Sequence, residues 1–173
     1  MIFFGTLGMI VWTVVSAVNT PVHEDDVFFE SYGNMDEKFN KIVSDNKKIK
    51  SLYEIEFEIN SNKRGLEFGD IFSSRNMLEE NNPNANMLLV GENVVLVSIK
   101  DKQGNIVKDA KIEIKISRAT NKNSDIFIEN LKLDGTDKYI AKFKINSVGN
   151  WNISAKVDIS GTIGYLFLKT SAK

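Results

Sequence analysis

Residues able to ligate a metal ion or move a proton are sparse in this chain. His23 is the only histidine, it is followed by Glu24, Asp25 and Asp26, and there is no cysteine. Consecutive residues rarely converge on one ion, and a soft copper ion prefers nitrogen and sulfur ligands. We therefore predict no metal site and no cofactor, and we keep copper binding at His23 as an alternative hypothesis.

The rest of the inventory argues against an enzyme. No histidine accompanies a serine in the domain, which excludes a Ser-His-Asp hydrolase. Glu79 and Glu80 fall in a polar loop, where carboxylates are typical of a solvated surface. Residues 65–69 lack the lysine and the strand-to-helix context of a phosphate-binding loop. With a net charge of −1 and no basic block, we do not expect nucleic acid as a partner.

The first 22 residues carry no charged side chain. A transmembrane helix needs about 20 mostly apolar residues, which this segment just reaches. A signal peptide cleaved near Ala17 is an alternative, although the positive n-region is missing; a buried core helix is a third. We predict that 1–22 forms a single-pass anchor in the cytoplasmic (inner) membrane, with the C-terminal domain in the periplasm. The missing lead-in suggests a truncated start.

Residues 23–50 are predicted to form a juxtamembrane helical linker. Asn34 and Glu37 have the spacing of a capping box. Phe39, Ile42 and Val43 follow at helical spacing. This apolar stripe could pack on the domain or the bilayer surface, or dock on a membrane partner, and the stripe alone does not separate these hypotheses.

From Leu52 onward the pattern changes from a helical to a strand period. Residues 53–59 alternate between apolar side chains and glutamates, as a half-buried strand does. Further strand signals recur about every 10 residues, separated by Gly, Asn and Asp turns. They cover 93–100, 110–117, 126–133, 139–145, 151–159 and 162–169.

This pattern predicts an immunoglobulin-like antiparallel β-sandwich over 51–173, with an Asn-rich insertion near 73–87. Tyr139 follows a turn as a tyrosine corner does, and Trp151 begins the next strand. We expect both aromatic side chains to serve core packing.

The layout as a whole resembles the FixH/CcoH family, which assembles cbb(3)-type cytochrome c oxidase. The resemblance rests on residues 8–12 of the apolar segment, on the acidic and aromatic segment 24–32, and on a C-terminal half similar to a YtkA-like domain. The similar stretches of that half are 97–104, 134–139 and 149–151. The resemblance implies a non-catalytic, membrane-anchored assembly factor that contacts oxidase subunits and a copper-transporting ATPase.

We predict that this factor acts through its span and the segment that follows. The candidate partner contacts are Gly8, Trp12, Phe28, Phe29 and Tyr32. A glycine allows close helix approach in lipid, and the aromatic side chains would bury area against a partner, although simple interfacial anchoring would also explain them. The alternative functions are an envelope-displayed, Ig-like binding module and a copper-binding periplasmic domain.

Overall fold

The computed structural model describes residues 35–66, 84–118 and 124–173. The chain divides into two units, 1–33 and 34–173, and the described residues belong to the second. They form one helix and nine strands: α1 (Met35–Leu52), β1 (Tyr53–Ile59), β2 (Asn62–Gly65), β3 (Gly91–Asp101), β4 (Lys111–Ser117), β5 (Ile126–Ile128), β6 (Lys132–Leu133), β7 (Tyr139–Ile145), β8 (Gly149–Ile159) and β9 (Thr162–Ala172).

The predicted transmembrane helix at 1–22 lies outside the described residues. Within the ranges that are described, no helix combines the length and the apolarity needed to cross a bilayer. The helix α1 carries charged side chains along its whole length, including Lys41, Lys47 and Lys48.

The strands form two sheets that share one core. The first sheet has the order β2-β1-β3-β7-β6 and the second the order β5-β4-β8-β9. Every pairing between neighbouring named strands is antiparallel. The prediction of a mainly β, antiparallel domain is therefore confirmed.

The alternation of apolar and polar residues along the sequence matches the alternation of buried and more exposed side chains along the strands. In β1 the side chains of Ile55, Phe57 and Ile59 are buried, whereas Glu54, which precedes them, is exposed and the glutamates between them are half-buried. Each apolar side chain buried in this way contributes about 1.5–3 kcal/mol relative to exposure. Inward-facing rows of β3, β4, β8 and β9 complete the same cluster.

The predicted strand at 126–133 is two strands in different sheets. Ile126–Ile128 pairs with β4 in the second sheet, and Lys132–Leu133 pairs with β7 in the first. Between them Asn130 adopts a positive φ of 53°, a left-handed conformation that asparagine tolerates better than most residues. The single-strand prediction was wrong because one short polar residue lets the chain change sheets.

Tyr139 and Trp151 are both buried in the core. The Tyr139 hydroxyl donates to the carbonyl of Val107 at 3.1 Å and accepts from the amide N–H of Ala110 at 3.0 Å. It therefore fastens the β3–β4 connection, about 30 residues upstream, instead of its own corner. Burial raises the pKa of this phenol. The Trp151 indole N–H donates to the Ser147 carbonyl at 3.3 Å.

The helix α1 closes the outer edge of β9 through one buried side-chain amide. The Asn46 Nδ2 donates to the Tyr165 carbonyl at 2.8 Å, and the Tyr165 N–H donates to Asn46 Oδ1 at 2.6 Å. An edge strand leaves alternate backbone groups without a strand partner. Asn46 satisfies one such pair in the way a neighbouring strand would.

One turn further along α1, Ile49 enters the core beside Gly164 and Leu66. A Cβ atom on Gly164 would lie 2.8 Å from both Ile49 Cγ2 and Leu66 Cδ1, so only glycine permits this approach. The buried stripe of the helix is therefore Ile42, Asn46 and Ile49, while Val43, which the sequence placed in the stripe, is 46% exposed. The second half of α1 therefore packs against the sandwich and contributes to its core.

Replacing Asn46 with Ala should lower the free energy of unfolding by about 2 kcal/mol, because it leaves two partly buried backbone groups of Tyr165 in β9 without partners. The measurement is urea unfolding followed by Trp151 fluorescence. Asn40→Ala, at an exposed position of the same helix, is the matched control and should change stability little. Equal effects of the two substitutions would contradict the assigned role of Asn46.

Candidate binding surfaces

The predicted partner contacts are not placed by this structure. Gly8, Trp12, Phe28, Phe29 and Tyr32 all lie outside the described residues. The same holds for His23 and the acidic residues beside it. In the described ranges, no group of three or more His, Cys, Asp or Glu side chains is close enough to share a metal ion.

A buried ion pair lies on the second sheet, where β4 pairs with β5. The Lys115 Nζ is 3.5 Å from Asp125 Oδ2, and the two side chains are only 10% and 12% exposed. The same ammonium lies 5.2 Å from the centre of the Phe127 ring, its cross-strand neighbour. Desolvated cation–aromatic contacts are stronger than exposed ones.

This cluster fastens the short strand β5 to the sheet. The second carboxylate oxygen of Asp125, Oδ1, is buried and has no hydrogen-bond donor among the described residues. Removing either charge would leave the other unpaired in a poorly hydrated environment, which would lower the stability of the fold. The arrangement can hold a strand edge in place.

Two aspartates at turns use their carboxylates locally. Asp101 accepts hydrogen bonds from Asn105 Nδ2 and from two backbone N–H groups of its own loop, and these bonds, led by that from Asn105, lower the pKa of the carboxyl. Asp134 is held in the same way, chiefly by the Thr136 hydroxyl, and its pKa is also lowered. Both groups stabilise turns.

An open groove of about 580 Å³ runs beside the Asp101 turn, at the end of the sandwich where α1 passes into β1. Its lining includes Tyr53, Lys50 and Lys102, and the Lys102 ammonium donates to the Lys50 carbonyl at 2.9 Å. Ligand sites normally present several polar groups that converge on one point. Here the Lys102 ammonium and the Asp101 carboxylate are both engaged in hydrogen bonds within the protein itself.

The opposite end of the sandwich is where β3 begins and β9 finishes; we call it the Leu89 end. Asn93, fully buried, holds both backbone groups of Leu89: its Oδ1 accepts the Leu89 N–H at 2.9 Å, and its Nδ2 donates to the Leu89 carbonyl at 2.8 Å. Asn60 Nδ2 donates to Asn93 Oδ1 at 2.6 Å and to the Met87 carbonyl at 3.0 Å.

This amide network fixes a loop whose aliphatic side chains remain in solvent. Met87 and Leu88 are buried, whereas Leu89 and Val90 are 46% and 45% exposed. Val148, in the turn between β7 and β8, is 64% exposed. The sequence did not reveal these positions as surface, because the apolar run 87–90 has the composition of a core segment.

Comparisons with known proteins identify no family for this chain. No family model matches it, and no curated protein matches it. Among solved structures, it is similar to the PmoD soluble domain from Methylocystis sp. ATCC 49242 (Rockwell), with a TM-score of 0.37 and 10% sequence identity. The match covers 70% of this chain and 90% of that chain. A likeness at this level assigns no function.

A double-mutant cycle on Lys115→Met and Asp125→Asn should give a coupling free energy of roughly 1–3 kcal/mol, because each side chain is the charge partner of the other in a buried site. The matched control is the pair Lys63–Glu56, which is shorter at 2.9 Å but exposed. Solvent screens that pair, so its coupling should be close to zero.

We therefore expect the coupling free energy of the two pairs to follow their burial and not the distance between their charged atoms. A larger coupling for the exposed pair, or none for Lys115 and Asp125, would contradict the role given to the buried cluster. Both cycles are read from urea unfolding at one pH and one salt concentration.

Proposed function

We propose that this chain is a non-catalytic binding module held at the outer face of the cytoplasmic membrane by residues 1–22, with its sandwich in the periplasm. The observation that carries the proposal is the run of 22 uncharged residues, long enough to span a bilayer, followed at once by an acidic cluster. A large polar domain after such a segment fits export of the C-terminus.

The strand order supports a display domain of the immunoglobulin type. The series β1-β3-β7-β6 and β5-β4-β8-β9 correspond to the ABED and C′CFG orders of that fold. Such sandwiches present loops at two ends and serve many binding functions, so the fold alone names no partner.

The residue inventory supports a role without catalysis. The chain has no cysteine and one histidine, which removes thiol nucleophiles and leaves His23 as its one imidazole for proton transfer. The same inventory supplies no soft ligand set for copper. We therefore do not extend the proposal to the copper-binding alternative.

A more specific candidate is an assembly factor for a cbb(3)-type cytochrome c oxidase. It is favoured by the resemblance of residues 8–12 and 24–32 to the FixH/CcoH family and by the similarity of the C-terminal half to a YtkA-like domain. In this version Gly8 and Trp12 contact oxidase subunits or a copper-transporting ATPase within the membrane. The aromatic side chains at Phe28, Phe29 and Tyr32 would bury area against the same partners near the interface.

Replacing Gly8 and Trp12 together with Leu in the full chain should reduce the amount of assembled oxidase and the co-purification of its subunits. The added volume at Gly8 blocks close helix approach, and the loss of the indole removes contact area. Val15→Leu, which changes one apolar residue of the same segment for another, is the matched control and should behave as the unaltered chain.

Unchanged assembly in the double variant would remove the span from the mechanism. Absence of oxidase subunits from a purification of the unaltered chain would contradict the assembly role and leave the more general binding module. Purified chain and oxidase subunits are both followed by mass spectrometry of solubilised membranes.

A further inference from the structure

The segment around Leu89 extends the second sheet beyond β9. The Leu88 N–H donates to the Ser171 carbonyl at 3.2 Å, the Lys173 N–H donates to the Leu88 carbonyl at 3.3 Å, and the Val90 N–H donates to the Lys173 carbonyl at 3.0 Å. Leu88 and Ala172 form a parallel bridge. This short segment therefore behaves as an added parallel strand.

On the other side of β9, Ala172 is paired with Gly149 of β8. The next residues outward are then Leu89, Lys173 and Val148, and neighbouring strands are about 5 Å apart. Two exposed aliphatic side chains, Leu89 and Val148, thus flank Lys173, and the half-exposed Val90 follows Leu89 in the chain. Arg118 borders the row, because its Nη2 donates to the Val148 carbonyl at 3.1 Å.

We call this surface the Leu89 patch: Leu89, Val90 and Val148, with Lys173 and Arg118. The structure fixes the exposure of Leu89, because the Asn93 amide is hydrogen-bonded to both backbone groups of Leu89 and the side chain is left outside. The Arg118 Nη1 also donates to Ser147 Oγ at 3.1 Å, which fixes the turn that carries Val148. Exposed apolar side chains that adjoin one another and are rimmed by polar residues are the kind of surface at which proteins meet partners or membranes.

The direction of α1 places the upstream chain at the same end. Asn46 lies against Tyr165 and Ile49 lies against Gly164, so the helix runs antiparallel to β9, along which it packs. Met35 precedes Asn46 by 11 residues, or about 16 Å of helix. The chain therefore enters the domain from the Leu89 end and passes into β1 at the opposite end.

The charges of the patch suit an anionic surface. Among the residues that the structure describes, Lys173 and Arg118 are its charged side chains, and the exposed carboxylate of Glu92, two residues beyond Val90, is in register with Lys144 across β3 and β7. Aliphatic side chains flanked by cations bind membranes by combining apolar burial with attraction to anionic headgroups.

We propose that the Leu89 patch rests on the headgroup region of the bilayer that holds residues 1–22, inserting Leu89, Val90 and Val148 and placing Lys173 and Arg118 against anionic lipid headgroups. This rests on the proposed function, which supplies the membrane tether. The occupant of the patch is lipid.

The absence of cysteine allows a direct test with single labels. The full chain carrying Leu89→Cys, Val148→Cys or Leu52→Cys is labelled with an environment-sensitive fluorophore and reconstituted into vesicles of phosphatidylethanolamine and phosphatidylglycerol. Leu52 is the matched control, because it is 44% exposed, close to the value for Leu89, at the opposite end of the domain.

We expect labels at 89 and 148 to shift their emission to the blue and to lose intensity when the vesicles contain headgroup spin-labelled lipid. The label at 52 should show neither change. Adding Lys173→Glu should weaken the quenching at 148 in anionic vesicles, and should have a smaller effect in phosphatidylcholine vesicles, where the lysine has no anionic headgroup to pair with.

Vesicle flotation after an alkaline wash separates this inference from the proposed function. If the chain floats but the labels at 89 and 148 respond no more than the label at 52, the patch does not face lipid and the inference is overturned. If the labels at 89 and 148 shift their emission to the blue but are not quenched by headgroup spin-labelled lipid, the patch is covered by protein and not by lipid, which also overturns it. If the chain no longer floats yet both labels respond before the wash, the inference stands and the tether fails.

Discussion

The edge of β9 is the constraint on which the rest of this molecule depends. Its outward backbone groups are satisfied at one point by the amide of Asn46 and, further along, by the segment around Leu88. The first contact joins α1 to the sandwich, and Ile49 completes the closure beside Gly164. Because the helix then runs antiparallel to β9, the same contacts decide at which end of the domain the upstream chain is attached.

The strands were largely predictable because their information is local. The alternation of Ile55, Phe57 and Ile59 with glutamates specifies both the strand and its buried face, and the Gly, Asn and Asp turns divide one strand from the next. The split of 126–133 was not predictable, because it depends on which sheet each half can reach. A single left-handed Asn130 gives no such signal in a sequence.

The buried amides and the exposed aliphatic residues were missed for a common reason. Asparagine is a residue type typical of protein surfaces, so the sequence does not mark Asn46 and Asn93 as buried. The hydrogen-bond partner that buries Asn46 is 119 residues away in the chain. Leu89 and Val90 are residue types typical of a core, yet both side chains are nearly half exposed where the backbone of 88–90 pairs with that of 171–173. In both cases long-range pairing, which no local pattern reports, decides burial. The candidate contacts from Gly8 to Tyr32 remain predictions, since they lie outside the described residues.

The account as a whole requires that residues 1–22 stay in the bilayer while the sandwich stands outside the cytosol. The most direct measurement is the intact mass of the chain in membranes washed at alkaline pH. The account predicts that the uncleaved chain remains in the washed membrane fraction. A shortened chain, lacking the apolar segment and found free in periplasmic extracts, would contradict it.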